Sequence, residues 1–272
     1  MTQLALVRRP SPLLADGLVT HIDRSPVDVE LAQQQWAGYV AALQWCGWVT
    51  TEVPAAPQLP DSAFVEDTMV VFRDVALLAR PGADERQPEV AAAADAVREF
   101  GYRIAVVAAP GTLDGGDVLK VGDTIYVGRG GRTNDEGIAQ LAAVFEPLGA
   151  TVVTVPLSKV LHLKSAVTAL PDGTIIGWEP AIDDVSVFPR FLAMPEESGA
   201  HVVLLGGDKV LMSSDCPRSA ALLKSAGLQP VTVDIGEFIK LEGCVTCLSV
   251  RLREAPLTPT TTPTTTPTPA TT

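Results

Sequence analysis

Residues 118–127 read VLKVGDTIYV, two short apolar runs on either side of Gly122-Asp123. Gly and Asp tolerate the backbone angles of a two-residue turn, so this stretch predicts a β-hairpin. The same pattern recurs. Runs 68–72 and 75–79 flank Arg73-Asp74, runs 166–170 and 174–178 flank Pro171-Asp172-Gly173, and runs 202–205 and 209–212 flank Gly206-Gly207-Asp208. The turn residues Asp74, Asp123, Asp172 and Asp208 lie 49, 49 and 36 positions apart. Spacings near 50 fall in the range of repeat architectures.

The segments after the hairpins repeat as well. Helices are expected over 88–100, 134–148 and 217–226, each leading to a strand, at 103–107, 151–155 and 230–233. A helix at 29–46 and a strand at 48–53 lack a hairpin before them. Two strand candidates remain, 5–8 and 245–251, and pairing them supplies a fifth hairpin and closes a ring. Five hairpin–helix–strand modules predict an α/β propeller of five blades. An open α/β sheet has the same alternation of strands and helices, so periodicity alone leaves both standing.

The chain has 272 residues, 47% of them hydrophobic, and a formal net charge of -12. That apolar content excludes general disorder. A sequence pI near 4.6 argues against nucleic acid as a partner. It suits a cationic small molecule, although acidic surfaces commonly serve solubility. No apolar run reaches the ~18 residues of a membrane helix. In MTQLALVRRP the apolar residues precede the arginines, the reverse of a secretory signal, so a cytoplasmic location is expected. Four cysteines are too few for a disulfide scaffold. Residues 258–272 hold only Thr, Pro and one Ala. The expected organisation is one catalytic domain over 1–255 and a disordered Thr/Pro-rich tail over 256–272.

Four loops before hairpin strands carry reactive residue types. They are DSAFVED at 61–67, LDGGD at 113–117, LHLKS at 161–165 and LEGCVTC at 241–247. In a ring of modules, equivalent loops converge on the axis and would bring together a thiol, an imidazole and carboxylates. That set can supply a nucleophile, a proton carrier and an orienting acid. Each piece has a plainer reading. A histidine such as His162 is commonly a satisfied core residue. Asp67 and Asp114 could be a loop cap and a turn former. Arg86 and Arg132 could be surface charges. Cys244 and Cys247 make a CxxC, redox or half a zinc site, but a structural zinc site needs four ligands. Three apart on a strand, the two would face opposite sides, so at most one would point into the site. Cys46, Cys216 and Cys244 read as small buried apolar residues.

Taken together, FVEDT at 64–68, LDGGDVL at 113–119, HLKSAVTAL at 162–170 and GCVTCLSVRL at 243–252 strongly resemble the dimethylarginine dimethylaminohydrolase family. YVGRGGRTN at 126–134 and DGLVTH at 16–21 match it too. The similarity runs from about Leu4 to Arg253. It implies a pentein fold, a five-bladed α/β propeller, and hydrolysis of asymmetric dimethylarginine or monomethylarginine to citrulline plus dimethylamine or methylamine. Cys247 matches the nucleophile, which forms a covalent thiouronium, and His162 the general acid/base. Asp114 matches the carboxylate partner of the histidine. Asp67, with Glu66 beside it, matches the guanidinium-binding pair. Arg86 and Arg132 match the arginines that hold the substrate carboxylate. Leu18, Asp61 and Leu241 match positions around the α-amino group, with Leu18 in a mobile lid. The resemblance implies no metal or organic cofactor, with zinc as an inhibitor. Monomer and homodimer both stay open.

Two rivals share the fold. Guanidino deiminases such as arginine deiminase carry an acidic residue two positions after the catalytic histidine. Here that position is Lys164, which would repel a guanidinium unless it points away. A non-enzymatic binding protein, similar to the ribosome anti-association factor, would lack the thiol–histidine–carboxylate set and would present a basic face.

Overall fold

The computed structural model describes residues 3–253, so the tail expected over 256–272 lies outside the described residues. Five three-stranded sheets form the frame. The first holds β1 (Leu4–Val7) and β2 (Val49–Glu52), linked by the helix α1 (Val29–Trp45). The second holds β3 (Met69–Phe72), β4 (Val75–Leu78) and β5 (Arg103–Val106), with α2 (Val90–Arg98) before the last strand. The third holds β6 (Val118–Val121), β7 (Thr124–Arg129) and β8 (Thr151–Pro156), with α3 (Asp135–Phe145). The fourth holds β9 (Val167–Ala169), β10 (Ile175–Gly177) and β11 (Phe191–Ala193). The fifth holds β12 (Val203–Gly206), β13 (Lys209–Ser213) and β14 (Gln229–Val233), with α4 (Pro217–Ser225). A short helix α5 (Gly236–Ile239) then leads to β15 (Val250–Leu252), which returns to the first sheet.

Every sheet repeats one plan, an antiparallel hairpin with a parallel third strand on its far edge. The expected closure is present, with Leu4 opposite Leu252 and Leu6 opposite Val250. The chain is a five-bladed α/β propeller, and the open sheet is excluded. The fourth blade's third strand, β11, was not foreseen. It is three residues long and comes after 3-10 turns rather than an α-helix, so it has no helical period ahead of it to announce it.

The apolar residues form five clusters between neighbouring blades rather than one central core. Leu4, Leu6 and Val250 meet Val71, Ala76 and α2, for example, while Phe72, Val75 and Leu77 meet Ile125, Val127 and α3. Placing most of the apolar mass between blades leaves room at the axis for charged groups, and Glu66, Lys164 and Arg251 stand there among apolar side chains. An axial cavity of about 140 Å³ is lined by Met69, Val118, Thr168, Val203 and Val250, one from the inner strand of each blade. The loops that enter those inner strands therefore gather at one end of the axis.

Candidate active site

The motif LDGGD is explained by close approach. A Cβ at Gly116 would sit 2.6 Å from both Asp67 Oδ1 and His162 Nδ1, and one at Gly115 would sit 2.0 Å from the Glu66 carbonyl oxygen. Only glycine lets the loops before β3, β6 and β9 touch. The contact brings Asp67, Asp114 and His162 together, all buried.

His162 Nε2 lies 2.9 Å from Asp114 Oδ2, and Nδ1 lies 3.8 Å from Asp67 Oδ1. Asp114 is fixed by the Gly82 N–H, which donates to Oδ1 at 2.8 Å, and its own N–H donates to Thr133 Oγ1. Burial works against the imidazolium, but Asp67, Asp117 and Asp114 outweigh it and hold the His162 pKa up at about 9. Asp67 is also opposed by burial. The His162 and Arg86 charges and the N–H of Gly116 win, and its pKa falls to about 2. Asp117 is held up at about 6 by burial, and it accepts from Thr133 Oγ1 and the Leu163 N–H. It lies within LDGGD, yet the motif by itself assigns it no role. Only the folded loop shows that it braces both the histidine strand and the Arg132 loop.

Around this group Leu18, Asp61, Phe64, Asp67, Arg86, Arg132, Leu161, His162, Leu241 and Cys247 line one pocket, together with Glu242 and Gly243. Its free volume is about 10 Å³, room for about one water. The segment 17–21 closes it. The Leu18 N–H donates to both oxygens of Asp61, and Glu242 accepts from the N–H groups of Thr20 and His21 at 2.6 and 2.8 Å. Burial raises the Asp61 pKa, opposed by Arg86 and the Leu18 N–H. Nothing in the sequence around Glu242 signals this closing role.

Three expectations need correction or sharpening. Glu66 does not share the pocket with Asp67. Its carboxylate pairs with Lys164 Nζ at 2.6 Å and with Arg251, and it lines the axial cavity instead. Residues 65–68 form a 3-10 turn, whose neighbouring side chains diverge by about 120°. Only Glu66 Oε2, buried and without a hydrogen-bond partner, stays open to a donor. The same ion pair turns Lys164 away from the pocket, so it is not the repulsive group its position suggested.

Arg86 lies in the pocket wall, but not as an open fork. Its N–H groups donate to Glu89, to Asp67 Oδ2 at 2.7 Å, and to the carbonyls of Asp61 and Phe64. Arg132 is less committed. Its Nη1 has no hydrogen-bond partner and stands 3.6 Å from Asp114.

Cys244 and Cys247 do not diverge. Residues 244–247 form a turn rather than a strand, so the alternation rule does not apply to them. Their sulfurs are 3.4 Å apart, and the Cys244 N–H points at Cys247 Sγ from 3.4 Å. That contact lowers Cys244 to about 5 and pushes Cys247 well up. The pair thus shares one proton in its first ionised form. A cation in the pocket beside Cys247 draws the negative charge to that sulfur. Cys216 is buried as expected, whereas Cys46 is only partly covered.

The Asp67, Asp114 and His162 ligand atoms lie within 4.8 Å of one another, a spacing that could hold a metal ion.

No protein-family model matches the chain. It is similar to N(G),N(G)-dimethylarginine dimethylaminohydrolase of Streptomyces coelicolor, 66% identical over 250 residues, 92% of this chain and 97% of that one. Two solved structures share its fold at a TM-score of 0.87, each over 93% of this chain and 100% of theirs. One is a dimethylarginine dimethylaminohydrolase adduct with S-methyl-L-thiocitrulline, 31% identical. The other is the Pseudomonas aeruginosa protein complexed with citrulline, 32% identical. The shared propeller and an identity of two thirds across almost the full length lead to one conclusion: the chain belongs to the dimethylarginine dimethylaminohydrolase family.

Proposed function

We propose that the chain is a hydrolase that converts asymmetric dimethylarginine or monomethylarginine to citrulline and releases dimethylamine or methylamine. One observation carries the reading. A histidine clamped between Asp114 and Asp67 sits in the same closed pocket as Cys247. The related proteins fit it, since one is bound to citrulline and another forms an adduct with a thiocitrulline.

A guanidinium is planar and poorly electrophilic. Asp67 orients it through a charge-assisted hydrogen bond. Arg132 and the remaining Nη1 N–H of Arg86 take the substrate carboxylate, while Asp61, Leu18 and Leu241 surround the α-amino group. The substrate's positive charge draws the thiolate to Cys247, whose sulfur attacks the guanidinium carbon. His162, held protonated by its carboxylates, gives its Nδ1 proton to the departing amine, and the C–N bond breaks. A thiouronium on Cys247 remains. Water attacks the same carbon and gives its proton to the now neutral His162. The C–S bond then breaks as the adduct's hydroxyl proton passes to solvent, releasing citrulline and the thiolate. Asp114 keeps the imidazole in one orientation and stabilises its charged form.

The 10 Å³ pocket cannot admit an arginine derivative as it stands. Segment 17–21 must lift from Asp61 and Glu242 for entry. Within the described residues no helix is long and apolar enough to cross a membrane. We extend the reading to a single catalytic domain over 1–255 acting in the cytoplasm.

The test is citrulline formation by the purified chain and its Cys247→Ser variant, with asymmetric dimethylarginine and arginine as separate substrates. Citrulline from the methylated substrate alone, with none from the variant, is expected. Citrulline chiefly from arginine would make the protein a deiminase and overturn the reading.

A further inference from the structure

Cys244 bonds to no substrate atom in the chemistry above, yet it is 2% exposed and in contact with the proposed nucleophile. The Cys247 N–H donates to the Cys244 carbonyl at 3.1 Å, closing the four residues into a turn. A turn of this kind holds its end Cα atoms within about 7 Å. Disulfides span a Cα separation of about 4.4–6.8 Å. The sulfurs, 3.4 Å apart, need to approach by about 1.4 Å to reach bonding distance. Hydrogen bonds to either sulfur favour a thiolate. The Cys244 N–H serves Cys247, and the Thr246 hydroxyl lies 3.2 Å from Cys244 Sγ. The other two cysteines offer no comparable pairing. Burial holds the Cys216 thiol at about 12, and Cys46 lies at the end of α1.

We propose that Cys244 and Cys247 form a site of oxidative modification, an intramolecular disulfide made by exchange with a low-molecular-weight disulfide. One Cys thiolate attacks a sulfur of the reagent RSSR, forming a mixed disulfide and releasing RS⁻. The neighbouring thiol loses its proton and attacks the protein-bound sulfur, expelling the second RS⁻. The cysteine pair is oxidised by two electrons and one RSSR is reduced to two thiols. The bond removes the sulfur that would attack the guanidinium. The reagent reaches the pair only when segment 17–21 opens, so a molecule held in the pocket slows the exchange. Loss of activity rests on the function proposed above; formation of the bond does not.

The full chain is incubated with 2-hydroxyethyl disulfide, with and without citrulline, and intact mass, peptide mapping and citrulline production are followed together. The expected product is lighter by about 2 Da, with two of the four thiols lost and one internal Cys244–Cys247 link. Dithiothreitol restores both mass and activity. Cys244→Ser is expected to gain one reagent moiety on Cys247 and keep it. An unchanged wild-type mass, a mixed disulfide that persists in the wild type, or a link to Cys46 or Cys216 would overturn the inference. A linked chain that still makes citrulline at full rate would uphold the site and sink Cys247 as nucleophile.

Discussion

Replacing Asp114 by Asn changes one charge and almost no volume. Oδ1 can still accept from the Gly82 N–H, so the loop keeps its anchor. The amide then turns its donor towards His162 Nε2, where the carboxylate had accepted at 2.9 Å. Two donors face each other, and the imidazolium is disfavoured. A hydrogen bond to a charged group contributes about 1.5–3 kcal/mol, equal to roughly one to two pH units of imidazole pKa. Asp67 and Asp117 still act on the ring, so the value falls from about 9 to roughly 7–8. The imidazolium is stabilised in the folded enzyme, so its contribution is complete below the free-histidine value near 6.5 and is lost as pH rises through about 9. Below the new limb the imidazolium still carries its Nδ1 proton, the one proposed to meet the leaving amine, so activity there is retained in part. The assay is kcat/KM for citrulline formation from asymmetric dimethylarginine between about pH 6 and 10, which reports groups of the free enzyme. The alkaline limb of Asp114→Asn is expected one to two units below that of the wild type. A limb that stays in place, with the variant folded, would refute the carboxylate clamp as the cause of the raised imidazole.

Arg132→Gln is expected to raise KM for asymmetric dimethylarginine by about 10- to 150-fold, from the loss of roughly 1.5–3 kcal/mol of charged hydrogen bonding; a drop confined to kcat would place Arg132 elsewhere in the reaction. Gly116→Ala puts a carbon 2.6 Å from two buried side-chain atoms; the expected loss is about 1–3 kcal/mol of unfolding free energy in urea together with most of the activity, and an unchanged denaturation midpoint would contradict the close approach. The Asp67 carboxyl is depressed to about 2, so its roughly 2 kcal/mol of stability is present above the free-aspartate value near 4 and is lost as pH falls through 2. Asp67→Asn should flatten the urea midpoint over that window, and an unchanged acid slope would count against the depressed carboxyl. Glu242→Ala removes both anchors of the closing segment at Thr20 and His21, and backbone amide exchange over 18–21 is expected to quicken, with no change at α3.

Much of this protein is written locally. Apolar runs around Arg73-Asp74, Gly122-Asp123, Pro171-Asp172-Gly173 and Gly206-Gly207-Asp208 specify hairpins, because turn backbone and strand alternation are settled within a few residues. Repetition admits a ring as well as an open sheet; the pairing of β1 with β15 closes the ring, and the loops bearing Asp67, Asp114, His162 and Cys247 then meet at its axis. The residue types of the chemistry are likewise legible in the motifs that resemble the family.

Side-chain direction and charge partnership were not legible, because they depend on residues far away in the chain. Glu66 turns from the pocket because Lys164 and Arg251, 98 and 185 positions later, wait in the axial cavity. Arg86 is drawn into the wall by Asp67, 19 positions earlier, with Glu89 of its own turn holding the other side of the guanidinium. The two CxxC sulfurs meet because the segment turns before its strand begins, and Glu242 finds Thr20 only when the first and last segments close the ring. Turn chemistry and alternation act over a few residues, so the sequence by itself determined the blades and the chemical types at their ends. Burial and Coulomb attraction act between groups that only the closed ring brings together, so the tertiary structure alone decided which of those groups face the pocket and which neutralise one another behind it.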